Sequence, residues 1–151
     1  MSNSKIKFAV IGQGHIGKRH AEMIRRHPEA ELVAVCDVLT KEQAGITDIS
    51  EKFYNSLDEL LKAHPEVDVV NVATPNGLHS EHALKAFEYN KHIVCEKPMA
   101  LHKADCEAIL FKALQVHKQV FCECKIATPL LLFGLRTSLK IKSWVMFLWC
   151  N

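Results

Sequence analysis

Ile6-Lys-Phe-Ala-Val-Ile-Gly12-Gln-Gly14-His-Ile-Gly17 is the stretch on which the fold turns. Its first six residues are apolar and β-branched enough for a strand buried on both faces. The glycines follow where such a strand would turn sharply into a helix. Their Gly-x-Gly-x-x-Gly spacing gives each a separate role, in which Gly12 makes the tight turn, Gly14 lets backbone approach a phosphate, and Gly17 lets helix and strand pack closely. The amides near His15 and Ile16 would aim the helix dipole at that phosphate. A glycine-rich turn alone is a weak sign. Here, however, Asp37 stands twenty residues after Gly17, at the end of a second apolar run from Glu31, where a ribose-binding acid belongs.

Working outward, apolar residues at helical spacing between Ile16 and His27 predict a helix stopped by Pro28. Further along, the sequence predicts a short helix around Lys41 to Gly45, a weak strand at Phe53-Tyr54, a helix from Ser56 to His64 and a strand from Val67 to Ala73. Then come a helix from about Ser80 to Tyr89, a strand from His92 to Cys95, a helix from His102 to Val116 and a last strand from Gln119 to Cys122. Strand and helix alternating over short connections imply an α/β fold, a Rossmann-type doubly wound parallel sheet. Residues 1–123 form the expected dinucleotide-binding domain, and 124–151 an atypical apolar, basic tail.

Charge supports that division. The 151 residues net +2, but residues 1–123 carry 15 basic against 17 acidic side chains, a net of −2, and all nine histidines. No dense cationic face is implied, so nucleic acid is a poor partner. No secretory leader is visible, and the longest apolar runs fall far short of the roughly 20 residues of a membrane span; the chain reads as cytoplasmic. Its six cysteines read as reduced, mostly buried thiols, and Cys122-x-Cys124 lacks a second ligand pair for zinc. His15, His20, His82 and His92 have no spacing that makes a metal site.

A carboxylate at Asp37 would accept hydrogen bonds from both adenosine-ribose hydroxyls and repel a 2′-phosphate, which favours NAD over NADP. Lys41 is the residue that would instead greet a phosphate. Two further motifs follow the fourth and fifth predicted strands: Thr74-Pro75-Asn76-Gly77-Leu78-His79 and Glu96-Lys97-Pro98. Both should converge with the glycine turn, because ligands in open parallel sheets bind beyond the carboxyl ends of the strands. With these motifs in this order, residues 5 to about 122 resemble the glucose-fructose oxidoreductase, inositol dehydrogenase and rhizopine catabolism family (Gfo/Idh/MocA).

That resemblance implies oxidation or reduction of a hydroxyl on a sugar, cyclitol or sugar nucleotide, with NAD or NADP. It also implies a second, larger α/β domain that forms the substrate floor and a homo-oligomer interface. Lys97 would hold the substrate hydroxyl and shuttle its proton, as an ammonium destabilised beside a cationic nicotinamide can do. Glu96 would orient Lys97 or touch the nicotinamide ribose. Thr74, Pro75 and Asn76 resemble the family's loop against ribose and nicotinamide, although Pro75-Asn76-Gly77 is also good turn chemistry. His79 matches the family's histidine in this motif, or else opens the following helix.

The resemblance stops near Glu123. Residues 124–151 hold four basic side chains, both tryptophans, and no acid or histidine, whereas acids and histidines make up 26 of the first 123 residues. The expectation is an interrupted reading frame or gene; the alternative is a short native extension over the sheet edge. If the frame is interrupted, the chain is a catalytically incomplete nucleotide-binding module that lacks the second domain.

Overall fold

In a computed structural model, residues 4–46 and 50–122 are described. Phe8 and Val10 of the first strand, β1 (Ile6–Ile11), face Ala21 and Ile24 of α1 (His15–Arg26), while Ala9 and Ile11 face the opposite side of the sheet. There they join Leu57, Leu60 and Leu61 of α2 (Leu57–Ala63) and Ala83 and Phe87 of α3 (His79–Glu88). Burial on both faces explains why these strands read as continuous apolar runs rather than alternating ones. The remaining elements are β2 (Ala30–Cys36), β3 (Lys52–Tyr54), β4 (Val69–Val72), β5 (His92–Cys95), α4 (Lys103–Gln115) and β6 (Val120–Cys122).

All six strands are parallel, in the order β3-β2-β1-β4-β5-β6. The chain builds outward from β1 to β3, then crosses over and builds outward again from β4. The reversal lies between β1 and β4, and there the loops after the strands splay apart into a crevice.

One local expectation is corrected. Residues 41–45 form turns rather than a helix. Thr40 and Gln43 exchange bonds like a capping pair, Gln43 N–H donating to Thr40 Oγ1 at 3.3 Å and Thr40 N–H to Gln43 Oε1 at 3.1 Å. Gly45, at φ +62°, ends the turn before the costly helical nucleus is repaid. The turn chemistry of Pro75-Asn76-Gly77 takes the form of a 3-10 turn, Asn76–Leu78, that runs directly into α3 at His79. The tail of residues 124–151, Cys124 included, lies outside the described residues.

Cys36 and Cys95 are buried free thiols whose pKa burial pushes up to about 12, so they stay protonated. Burial lowers the pKa of three histidines: His27, where Glu29 opposes it, and the more deeply buried His92 and His82. Burial lowers the pKa of His92, with Lys118 adding to the effect and Asp68 opposing it. Its Nδ1 accepts from Gln119 N–H at 3.2 Å, tying β5 to the start of β6. Burial lowers His82 as well, against Glu81 and with His79. The folded chain thus binds fewer protons at these rings than the unfolded chain. Their neutral forms cost nothing above the ordinary value near 6.5, and stability is lost as pH falls below it. Carboxylates held below their ordinary range, such as Asp58 and Glu66, titrate at more acid pH. Thermal melts are expected to show Tm a few degrees lower at pH 5.5 than at pH 7.5; an unchanged Tm would contradict the assignment.

Candidate cofactor-binding site

The three glycines, Gly12 and Gly14 in the loop between β1 and α1 and Gly17 in the first turn of α1, divide into two buried and one exposed. Gly12 has φ +87°, and a Cβ there would meet the Ala73 carbonyl oxygen at 2.5 Å. A Cβ on Gly17 would lie 1.7 Å from the Gly12 carbonyl oxygen. At Gly14 a Cβ would meet nothing within 4 Å, and Gly14, His15 and Ile16 are all exposed. Gly14 caps α1, whose first turn carries no acid. The first amides of a helix have no intrahelical partner. This end of α1 is therefore an uncovered, positive cradle of the kind that takes a phosphate.

Asp37 follows β2 directly. Its Oδ2 accepts from Gln13 N–H at 2.6 Å and its Oδ1 from Leu39 N–H at 2.9 Å. The carboxylate is thereby anchored at the glycine loop, with acceptor capacity left on both oxygens. Asn55, just after β3, braces this segment by donating from Nδ2 to the carbonyls of Asp37 and Leu39, both at 2.9 Å. Gln13 is buried, and its Nε2 donates to the carbonyls of Val10 and Gly12 at 3.3 Å. The sequence pointed to neither side chain. Gln13 fills an unspecified position of the glycine pattern, and Asn55 has no motif around it.

A cleft of about 300 Å³ opens here, lined by Gly12, Asp37, Val38, Thr74, Pro75 and His82 among others. The structure thus brings Gly12, Asp37, Thr74 and Pro75 together, with Thr74 Oγ1 lying 3.0 Å from His82 Nδ1. Asn76, His79, Glu96 and Lys97 lie outside the lining of this cleft. Lys97 is exposed and joined to Pro98 by a cis peptide bond. Glu96 directs its carboxylate at His20, with Oε1 at 2.8 Å from Nε2.

His79, expected at the cofactor, has both ring nitrogens engaged within the protein. It is fully buried, with Nδ1 2.7 Å from the Pro98 carbonyl and Nε2 2.7 Å from the Thr74 carbonyl. The ring clamps one motif loop to the other and has no nitrogen left over for a ligand. Replacing it with alanine would remove the ring's contacts with both carbonyls, one of them a donated hydrogen bond, and leave a void. The expected loss is about 2–4 kcal/mol in chemical denaturation, and a loss below about 1 kcal/mol would remove His79 from this role.

Strand order, an open glycine cradle, a helix N-terminus and an anchored acid beside a cleft at the reversal point together define a dinucleotide-binding domain of Rossmann type. The chain belongs to the oxidoreductase family with an NAD-binding Rossmann fold (GFO_IDH_MocA), whose profile matches residues 6–124. Among its relatives, glucose-6-phosphate 3-dehydrogenase of Bacillus subtilis is 38% identical over 96 residues, 63% of this chain and 27% of that protein. Myo-inositol 2-dehydrogenase of Thermotoga maritima is 35% identical over 111 residues, 70% of this chain and 32% of that protein. The solved WlbA dehydrogenase of Bordetella pertussis, in complex with NADH and UDP-GlcNAcA, superposes with a TM-score of 0.73 at 32% identity, covering 82% of this chain and 36% of that one. The chain spans roughly a third or less of the length of these proteins. Among the described residues no helix is long and apolar enough to cross a membrane.

Proposed function

We propose that the chain binds NAD(H) across this crevice and serves reversible hydride transfer to and from a hydroxyl of a sugar, cyclitol or sugar nucleotide. The observation that carries the reading is Asp37, anchored beside the cleft it shares with Gly12 and the Thr74-Pro75 loop. Adenosine would occupy the cleft, with its ribose hydroxyls on Asp37 and its pyrophosphate on the amides near His15 and Ile16. A 2′-phosphate would meet the Asp37 charge, which favours NAD over NADP. Held by Asp37, the Gly12 turn and the α1 amides, NAD(H) would supply the hydride chemistry. Lys97 Nζ holds the substrate oxygen and takes or returns its proton. Sugar-type substrates are supported by the names of the relatives: glucose 6-phosphate, inositol and a sugar nucleotide.

A second reading, a nucleotide-binding module without turnover, is favoured by the exposure of Lys97, since a proton shuttle needs a desolvated setting. NADH fluorescence titration of the 151-residue chain tests binding, and a hydride-transfer assay on sugars and sugar nucleotides tests turnover. If the enzyme reading holds, Lys97→Ala lowers turnover by at least about 100-fold while NADH affinity stays within a few fold. Binding without turnover on any substrate selects the module. Absence of saturable NADH binding sinks both readings.

A further inference from the structure

One helical turn past the glycine loop, α1 carries His20, only 7% exposed. Its Nδ1 lies 3.4 Å from Asn71 Nδ2, and its Nε2 lies 2.8 Å from Glu96 Oε1. Asn71 is fully buried in β4, two residues from Val69 and thus on the sheet face that also holds Ala21, Ile24 and Val94. Its Oδ1 is buried without a hydrogen-bond partner. An unpaired buried amide oxygen costs free energy, so an apolar residue would suit this core position better if packing were its whole purpose.

The donor pattern supplies another purpose. With Asn71 donating to Nδ1, the ring proton resides on Nε2 and is donated to the Glu96 carboxylate. The chain Asn71–His20–Glu96 therefore joins three elements. α1 presents the phosphate cradle, β4 leads into Thr74-Pro75, and β5 leads into Glu96-Lys97. In a sheet of this order the half containing β2, with Asp37, takes adenosine, and the half containing β5 takes the other nucleotide.

We propose that His20 is a positioning residue: backed by Asn71, it holds Glu96, and with it the Glu96-Lys97 segment, in the geometry required by the nicotinamide half of the dinucleotide. The proposal rests on the NAD(H) reading above. It separates His20 from residues that merely keep the domain folded, because its effect falls on one half of the ligand. ADP carries the adenosine and pyrophosphate of NADH but no nicotinamide riboside, and so reports on the other half alone.

The experiment titrates the full 151-residue chain and its variants with NADH and with ADP, and follows the thermal melt of each. His20→Ala is expected to weaken NADH by about 10- to 100-fold, the worth of one charge-assisted hydrogen bond, and to leave ADP affinity within about twofold. His20→Gln, which keeps a donor, should recover a large part of the loss. Glu96→Gln should reproduce the selective loss, and the double variant His20→Ala/Glu96→Gln should lose no more than either single one, since both cut the same link. Should His20→Ala not fold, the NADH-to-ADP ratio of Glu96→Gln decides. Equal losses for NADH and ADP, unchanged NADH affinity, or additive losses in the double variant overturn the proposal. ADP and NADH bound equally tightly by the unaltered chain also overturn it, yet leave the nucleotide site standing. If neither binds, the NAD(H) reading falls and the proposal with it.

Discussion

Valine at position 14 is expected to abolish NADH binding in a chain that still folds. A Cβ at Gly14 meets no protein atom within 4 Å, and its backbone, at φ −66° and ψ −171°, is extended and open to any residue. The cost to the fold is the poorer helix-capping preference of valine, about 1 kcal/mol, or a few degrees of Tm. In the proposed binding mode, the same open space is where a pyrophosphate comes within hydrogen-bond distance of the α1 amides. An isopropyl group there displaces it and buries its charge against carbon. NADH affinity should fall by at least about 100-fold, beyond the roughly 2.7 kcal/mol at which a titration still saturates usefully. Unaltered NADH binding by a folded Gly14→Val chain would refute the phosphate cradle.

Gly17→Ala is expected to do the reverse and act on the fold. A methyl group at 1.7 Å from the Gly12 carbonyl oxygen and 2.8 Å from its carbonyl carbon cannot be relieved by rotating a side chain, because the obstacle is backbone. Gly12 cannot retreat either: its own Cβ position lies against the Ala73 carbonyl, and its N–H donates to the Cys36 carbonyl at 2.8 Å. The first turn of α1 would have to lift off β1. A loss of about 4 kcal/mol or more is expected, a large share of a typical domain's stability. The corresponding fall in Tm is on the order of 10–20 °C. A Gly17→Ala melt that overlays the unaltered chain would show that the loop is laxer than its contacts imply. The two variants together form a cross: one loses ligand and keeps fold, the other loses fold first.

Much of this contrast is legible in the amino-acid sequence. The spacing of Gly12, Gly14 and Gly17 implies a turn, an approach and a packing contact; the Cβ geometry shows the turn at Gly12 and the packing contact at Gly17, and leaves open space at Gly14. Residues 41–45 look helical in sequence because a single capped turn and a short helix share the same local signals. His79 stands in a motif that the sequence singles out, and both its ring nitrogens lie against carbonyls of the protein. A histidine after Thr-Pro-Asn-Gly looks the same in sequence whether it touches a ligand or two carbonyls, and only its complete burial separates the two. Gln13 and Asn55 carry no sequence signal, since what they do is brace backbone that has to be folded before it can be braced.

The amino-acid sequence by itself determined the alternation of strand and helix, the parallel sheet, the glycine turn and the acid that ends β2. Each of these depends on hydrophobic period or on spacing within one β-α-β unit, and such patterns are written along the chain. Tertiary structure alone decided which side chains meet: Asp37 with the Gln13 amide, His79 with the loops of Thr74 and Pro98, and His20 with both Asn71 and Glu96. These partners come from separate strands, helices and loops. Their meeting follows from strand order and from the side of the sheet on which each helix packs. A polar residue's neighbours across the fold, unlike its period along the chain, exist only once the sheet has closed around it.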